Sequence, residues 1–254
     1  MADYDFPVEV IDLPSQGKIY PKDHPLAKGT IEIKYMTAKE EDILASQNLI
    51  KKGVVLDKLF ESIVVQKGVS IDDIFVGDKN AILLATRILG YGADYKVEVI
   101  DPFSGEEQKV IIDLSKIQIK PLSKELSSDN RYEFTLPQSK KKIIFKLLTH
   151  KDEIDINAEI QALQRLTKDK NAPSHEVTTR LRYMIQEVDG NNENGYINKW
   201  VSNQFLARDS REFRKYVKSI SPDVDLTYTF TSDLTGEQEE LDIPFGVNFF
   251  YPTD

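Results

Sequence analysis

The amino-acid sequence predicts an α+β fold made of two similar units in tandem, each with a β-hairpin, capped helices and a second β-hairpin. The main evidence is internal similarity, the pattern to look for before any other. Three pairs of segments recur in the same order: Leu13-Pro14 with Leu136-Pro137, Ile31–Glu41 with Ile143–Glu153, and Asp78–Glu107 with Asp209–Gln238. Ile31–Glu41 and its counterpart share five of eleven residues without a gap. The alternative is chance agreement between helix starts and turns, but the common order favours a tandem duplication.

The length of the chain suits two small units. Its 254 residues allow two domains of about 120 residues each. We predict a first unit over residues 1–122 and a second over residues 123–254, with the polar segment Ser123–Asn130 at the boundary. The offset between aligned residues rises from 112 to 131, so the second unit carries 131 − 112 = 19 extra residues, which we assign to a longer helical part.

In the first unit, alternating residues predict strands over Phe6–Ile11 and Thr30–Met36. Thr37 and Glu40 have the spacing of a capping box and predict a helix from Ala38 to about Lys51. Asp78 is the predicted N-cap of a later helix. The remaining predicted elements are helices over Leu56–Val65 and Lys79–Leu89, a hairpin pairing Tyr95–Val99 with Val110–Leu114, and a strand over Ile117–Leu122.

The second unit repeats this order of elements. Thr149 and Asp152 form the second predicted capping box, and Asp209 stands where Asp78 stands in the first unit. A polar break is predicted over Thr167–Pro173. The predicted elements are strands Tyr132–Leu136 and Lys142–Leu148, helices Ile154–Leu166, Val177–Val188 and Tyr196–Leu206, a helix after Asp209, and strands Leu226–Thr231 and Glu240–Ile243.

Composition restricts the class of partner. The formal net charge of −9 argues against binding to nucleic acid or to an anionic membrane, because both require a concentrated positive field. The chain has no cysteine, which excludes disulfides, thiolate metal sites and a thiol nucleophile. Neither a signal peptide nor a run of about 18 apolar residues is apparent. We therefore expect a soluble protein whose partners are other proteins.

Groups that could carry chemistry are few and scattered. The three histidines, His24, His150 and His175, lie in different predicted loops or at a helix start. Asp189–Gly195 superficially resembles a calcium loop, but Asn194 replaces the required glycine and Trp200 the final glutamate. No nucleotide-binding, zinc-protease or nucleophile-elbow motif occurs. We expect no enzyme activity, no metal and no cofactor; an enzyme hypothesis would rest only on scattered acidic residues.

Apolar residues near both ends of the chain are candidates for an interface. The candidate interface residues near the C-terminus are Phe245, Phe249, Phe250, Tyr251 and Pro252. Terminal residues fray unless they are packed, so these residues must contact either their own domain, which we favour, or another chain. The N-terminal arm MADYDFPVEV is suited to adding a strand to a neighbour.

Several of these motifs, taken in order, resemble one known family. The motifs are LPSQGKIYP, IEIKYMTAKEEDIL, YGADYKVEVIDPFSG, FLARDSREFRKYV with SPDVDL, and IPFGVNFFYP. Together they resemble the baseplate hub assembly proteins of T-even-like contractile-tailed bacteriophages over nearly the whole chain. Members of that family often carry cysteine pairs at the two hairpin turns, where this chain has Asp101-Pro-Phe-Ser-Gly and Ser232-Asp-Leu-Thr-Gly. This departure argues against a zinc-dependent role.

The resemblance implies a function in tail assembly. It suggests a non-enzymatic structural subunit or assembly factor of the baseplate hub, and the alternative is a transient tail-assembly chaperone absent from the mature virion. The expected partners are other phage tail or baseplate hub proteins, and the expected location is the virion tail or the host cytoplasm during assembly. A homo-oligomer stays open. The family resemblance implies structural rather than catalytic roles for these residues: Thr37, Lys39, Glu40, Asp209, Arg211 and Phe249–Pro252.

Overall fold

The described residues combine helices with short antiparallel strands, which confirms the predicted α+β class. The structure is a computed structural model and describes residues 7–123, 126–166 and 174–250. The strands are β1 (Val8–Asp12), β2 (Thr30–Lys34), β3 (Asp94–Ile100), β4 (Glu107–Asp113), β5 (Tyr132–Thr135), β6 (Lys142–Phe145), β7 (Ile185–Val188), β8 (Thr227–Thr231) and β9 (Gln238–Asp242). The helices are α1 (Ala38–Ala45), α2 (Gln47–Lys52), α3 (Val55–Ile63), α4 (Val76–Tyr91), α5 (His150–Leu166), α6 (Glu176–Met184), α7 (Asn194–Asn203) and α8 (Ala207–Ile220).

The strands of the described ranges form four small sheets. β1–β2, β3–β4 and β8–β9 are two-stranded and antiparallel, whereas β5–β6–β7 has three strands. The sequence predicted one helix over Val177–Val188, and this prediction is wrong after Met184. After Met184 the chain forms β7, which pairs with β6: Val188 lies opposite Ile143, and Ile185 lies opposite Phe145. A short apolar run has no distinctive period, so pairing with a strand far away in sequence decides its state.

The predicted helix from Ala38 to Lys51 is interrupted. Ser46 adopts an extended conformation (φ −70°, ψ 102°), which ends α1 and begins α2. Gly53 then ends α2 in the left-handed conformation (φ 69°), which glycine adopts readily at the end of a helix. The predicted strand over Ile117–Leu122 is also absent. Instead, Ile119 makes a single antiparallel bridge with Val224.

Neither Asp78 nor Asp209 is an N-cap, so both predictions need correction. The cap residues are Phe75 for α4 and Leu206 for α8, and each aspartate lies in the first turn of its helix. Both carboxylates are buried and accept hydrogen bonds from a distant loop instead of capping their own helix. The local sequence pattern assigns each aspartate to the helix cap. In the structure, its carboxylate instead makes a tertiary contact.

One connected hydrophobic core draws on both predicted units. Its largest fully buried side chains include Phe60 from the first half and Trp200, Phe145 and Phe213 from the second. The helical part of the second half is the longer one, with α5, α6 and α7 between its first hairpin and α8. The division at residues 122 and 123 stays a prediction, as does the tandem duplication.

The start of α4 lies against the segment that follows α8. A Cβ atom on Gly77 would come within 1.7 Å of the carbonyl oxygen of Pro222 and within 2.7 Å of its carbonyl carbon. Both are backbone atoms, which cannot rotate away. Glycine at position 77 is therefore what allows the first half of the chain to approach the second so closely.

We expect Gly77→Ala to destabilise the protein by about 1–3 kcal/mol, the usual cost of overpacking a closely packed site. Gly246→Ala is the matched control, because no heavy atom lies within 4 Å of its added methyl group. Urea unfolding of both variants and of the wild type measures the difference in the free energy of unfolding. Equal stability of the two variants would contradict the close approach at Gly77.

Candidate interaction surface

The two predicted capping boxes begin α1 and α5 with matching contacts. The amide of Thr37 donates to Glu40 Oε2 at 2.8 Å, and the amide of Thr149 donates to Asp152 Oδ2 at 3.0 Å. A lysine at the end of the preceding hairpin pairs with each carboxylate: Lys34 with Glu40 at 2.7 Å and Lys146 with Asp152 at 2.6 Å. Hairpin and helix are thereby joined in the same way in both halves.

Glu40 is fully buried and holds its charge through hydrogen bonds. Burial by itself would raise its pKa, but hydrogen bonds from Lys34, Ser62 and Thr37 outweigh burial and lower the pKa to about 2. Ser62 lies on α3, so Glu40 also connects α1 to α3, through a hydrogen bond of 2.6 Å. The charged carboxylate therefore joins α1 to the preceding hairpin and to α3.

Asp78 and Asp209 make the second pair of corresponding contacts. Asp78 accepts from the Ser15 amide at 2.9 Å, from the Ser15 hydroxyl at 2.7 Å and from the Tyr20 hydroxyl at 2.8 Å. Asp209 accepts from the amides of Gln138 and Ser139 at 2.7 and 2.9 Å. Each carboxylate thus binds the loop that follows one of the repeated Leu-Pro pairs.

The two later hairpins touch at their turns. The hydroxyl of Ser232, in the β8–β9 turn, donates to Asp101 Oδ2 in the β3–β4 turn at 2.6 Å. Asp101 and Ser232 occupy the same position in the aligned segments Asp78–Glu107 and Asp209–Gln238. The alignment could have identified these residues as equivalent, but it contains no information that they meet. In the described part of the chain, no group of three or more histidine, aspartate or glutamate side chains is arranged to hold a metal ion.

A buried polar cluster that the sequence did not reveal joins α4 to α3 and α5. Lys79 Nζ lies 2.9 Å from Asp57 Oδ1 and 2.9 Å from His150 Nδ1. Burial, followed by the charge of Lys79, lowers the pKa of His150, so the neutral imidazole accepts a hydrogen bond from Lys79 Nζ through Nδ1. This arrangement places the ring proton on Nε2, which has no hydrogen-bond partner among the described residues.

The described aromatic residues near the C-terminus pack mainly within the chain. Phe249 and Phe250 are almost completely buried, and Phe249 stacks edge-on against Tyr95 with ring centres 5.0 Å apart. The Arg87 side chain fixes this segment by donating to the Phe249 carbonyl at 2.8 Å. Phe249 and Phe250 therefore follow the alternative that we favoured, packing on their own domain, and as core residues they are no longer candidates for the interface. Phe245 is half-buried, whereas Tyr251 and Pro252 lie outside the described residues.

The other predicted positions lie apart from one another. Lys39 is exposed on α1 and Arg211 is exposed on α8. Asp189, from the superficial calcium loop, accepts from the Lys142 amide at 2.8 Å and from Lys141 Nζ at 2.6 Å. Its carboxylate therefore holds a hairpin turn. The polar break predicted over Thr167–Pro173 lies outside the described residues.

A groove of about 520 Å³ opens where α4, α6 and α8 come together. Its apolar lining consists of Phe75, Val76, Leu147, Leu148, Val177, Leu181, Met184 and Val217. At the rim, Arg180 lies 3.3 Å from Glu153 and 3.3 Å from Glu176. Lys120 lies 3.8 Å from Asp223. Each of these three carboxylates at the groove therefore forms an ion pair with a basic side chain.

Fold and surface together define a class: an α+β protein of short hairpins whose buried polar groups join its elements to one another. The chain belongs to the family described as T4 bacteriophage base plate protein, which it matches over residues 6–250. Membership indicates a structural or assembly role in the baseplate of a phage tail, in contact with other tail proteins. No curated protein and no solved structure matches the chain significantly. None of the helices in the described ranges combines the length and apolar character needed to cross a bilayer.

We expect Phe249→Ala to lower the free energy of unfolding by about 3–5 kcal/mol, the usual cost of removing a buried phenylalanine side chain. Phe103→Ala is the control, because Phe103 lies in a hairpin turn and is 38% exposed. Chemical denaturation followed by tryptophan fluorescence provides the measurement. Similar small losses in the two variants would show that Phe249 does not serve the core.

We expect His150 to reduce stability in mild acid. Its pKa is lowered in the folded state, so the unfolded chain takes up a proton first, below a pKa of about 6.5. Stability is therefore fully present above that pH and falls as the pH decreases, by at most about 1.4 kcal/mol per pH unit. Urea unfolding measured from neutral to mildly acidic pH should show that the free energy of unfolding falls more steeply with decreasing pH in the wild type than in His150→Gln.

The control for this measurement is His175→Asn. His175 is exposed and has a positive φ of 54°, a conformation that asparagine tolerates. This variant should keep the pH dependence of the wild type. If His150→Gln also kept it, other groups would be responsible for the acid sensitivity.

Proposed function

We propose that the protein acts in the central hub of a contractile-tail baseplate, as a structural subunit or as an assembly factor. The observation that carries the proposal is the family match over residues 6–250. The ordered motifs from LPSQGKIYP to IPFGVNFFYP support the hub in particular, since they resemble hub assembly proteins. Its direct partners are then other hub or tail proteins.

We also propose that this role is not enzymatic. The buried ionisable groups are engaged in holding elements together: Glu40 with Lys34, Asp78 with Ser15, and Lys79 with Asp57 and His150. A catalytic acid or base must reach a substrate. These groups instead bind protein atoms, which suits a rigid component of an assembly.

Quantitative mass spectrometry of density-purified phage particles, compared with the infected-cell lysate, tests whether the protein stays in the tail. We expect near-integer copies per tail, the result that a built-in subunit gives. Abundance in the lysate with absence from particles would instead support a transient chaperone. That alternative is consistent with the acidic net charge of −9, which favours solubility.

Cross-linking of isolated baseplates, read out by mass spectrometry, tests the position within the baseplate. A hub subunit should cross-link to proteins on the tail axis, and lysines that are well exposed, such as Lys109 and Lys116, are available for this chemistry. Cross-links confined to peripheral baseplate proteins would overturn the hub assignment while leaving the family membership intact.

A further inference from the structure

The outer edge of β1 has backbone groups that no described residue of the chain binds. Among the described residues, β1 pairs only with β2, in a two-stranded sheet. In an antiparallel pair, alternate residues direct their N–H and C=O groups toward the partner strand and away from it. The amide of Tyr35 donates to Pro7 and the amide of Leu13 to Gly29, so Glu9 and Ile11 face β2 in the same register. The N–H and C=O groups of Val8, Val10 and Asp12 therefore point outward.

At the opposite edge of the same sheet, outward backbone groups of β2 form hydrogen bonds with another segment of the chain. The carbonyl of Glu32 on β2 accepts from the Val65 amide at 3.2 Å, and its amide donates to the Gln66 side chain at 3.0 Å. Nothing in the described part of the chain does the same for Val8, Val10 or Asp12. The sheet thus has one covered edge and one open edge.

Side chains beside the open edge are apolar and acidic. Val8 is 47% exposed and Val10 is 59% exposed. Glu9, Asp12 and Glu32 are exposed around them, and none of these three forms an ion pair with a cation among the described residues. A row of backbone groups that no described residue binds, flanked by valines and carboxylates, is a template for an added strand.

We propose that the open edge of β1 binds an extended segment of another protein in which lysine or arginine alternates with apolar residues. Backbone hydrogen bonds to Val8, Val10 and Asp12 would provide the pairing, and the carboxylates would select a basic strand. A second copy of this chain fits less well, because it would bring together two chains of net charge −9. The inference does not depend on the hub assignment.

The first test uses a blocked synthetic peptide of alternating valine and lysine as the probe. Fluorescence anisotropy should show binding to the full-length wild-type protein, weakened at high salt because the attraction is between exposed charges. A peptide of alternating valine and glutamate should bind at least roughly tenfold more weakly. Equal binding of the two peptides would overturn the proposal.

Val10→Pro is the decisive variant, because it removes only an outward amide and proline is tolerated on an edge strand. We expect it to weaken binding of the lysine peptide roughly fivefold. Val10→Thr is its matched control, since threonine keeps the branched shape and the amide, and should bind like the wild type. Unchanged binding by Val10→Pro would rule out strand addition at this edge.

A second variant covers the case in which Val10→Pro fails to fold. The double change Glu9→Gln and Asp12→Asn leaves the backbone intact, and we expect it to weaken binding roughly threefold and to reduce the salt dependence. Unchanged binding and salt dependence would remove the electrostatic basis of the proposal. Sedimentation of the wild type without peptide gives the remaining outcome: a dimer that Val10→Pro dissociates would assign the edge to a second copy of this chain instead.

Discussion

The start of α4 is the contact on which the rest of the structure depends, because it holds the first half of the chain against the second. The Val76 amide donates to the Leu148 carbonyl at 3.2 Å, and the His150 amide donates to Ile74 at 2.8 Å. Gly77 lies directly on Pro222. Backbone atoms of both halves thus come together within one helical turn, and the groove between α4, α6 and α8 opens beside this contact.

Buried polar side chains reinforce this contact and the hairpins around it. Lys79 lies one residue from Asp78, so a single turn of α4 binds the Ser15 loop through the aspartate and α3 and α5 through the lysine. Removing one partner of such a buried group leaves the other without compensation, which costs more than an average hydrogen bond contributes. The polar contacts therefore favour one arrangement of the hairpins and helices, a property that suits a part that must fit into a larger assembly.

Much of the fold could be predicted because the relevant forces are local. Both capping boxes contain residues only three positions apart, so the starts of α1 and α5 lie at Ala38 and His150. The turn residues between β3 and β4 and between β8 and β9 likewise indicated the two hairpins that the structure contains. Errors arose where a distant partner decided the outcome: β7 formed because β6 was available, and Asp78 joined Ser15 instead of capping its own helix.

The sequence by itself determined the α+β class, the order of hairpins and helices, the acidic charge and the motifs of a baseplate protein. These properties follow from neighbours within a few residues and from composition. Only the tertiary structure decided that Phe249 and Phe250 enter the core, that His150 is buried against Lys79, and that no described residue pairs with the outer edge of β1. Burial and edge exposure depend on which segments meet in space, and the periodicity of a single segment does not encode its partner.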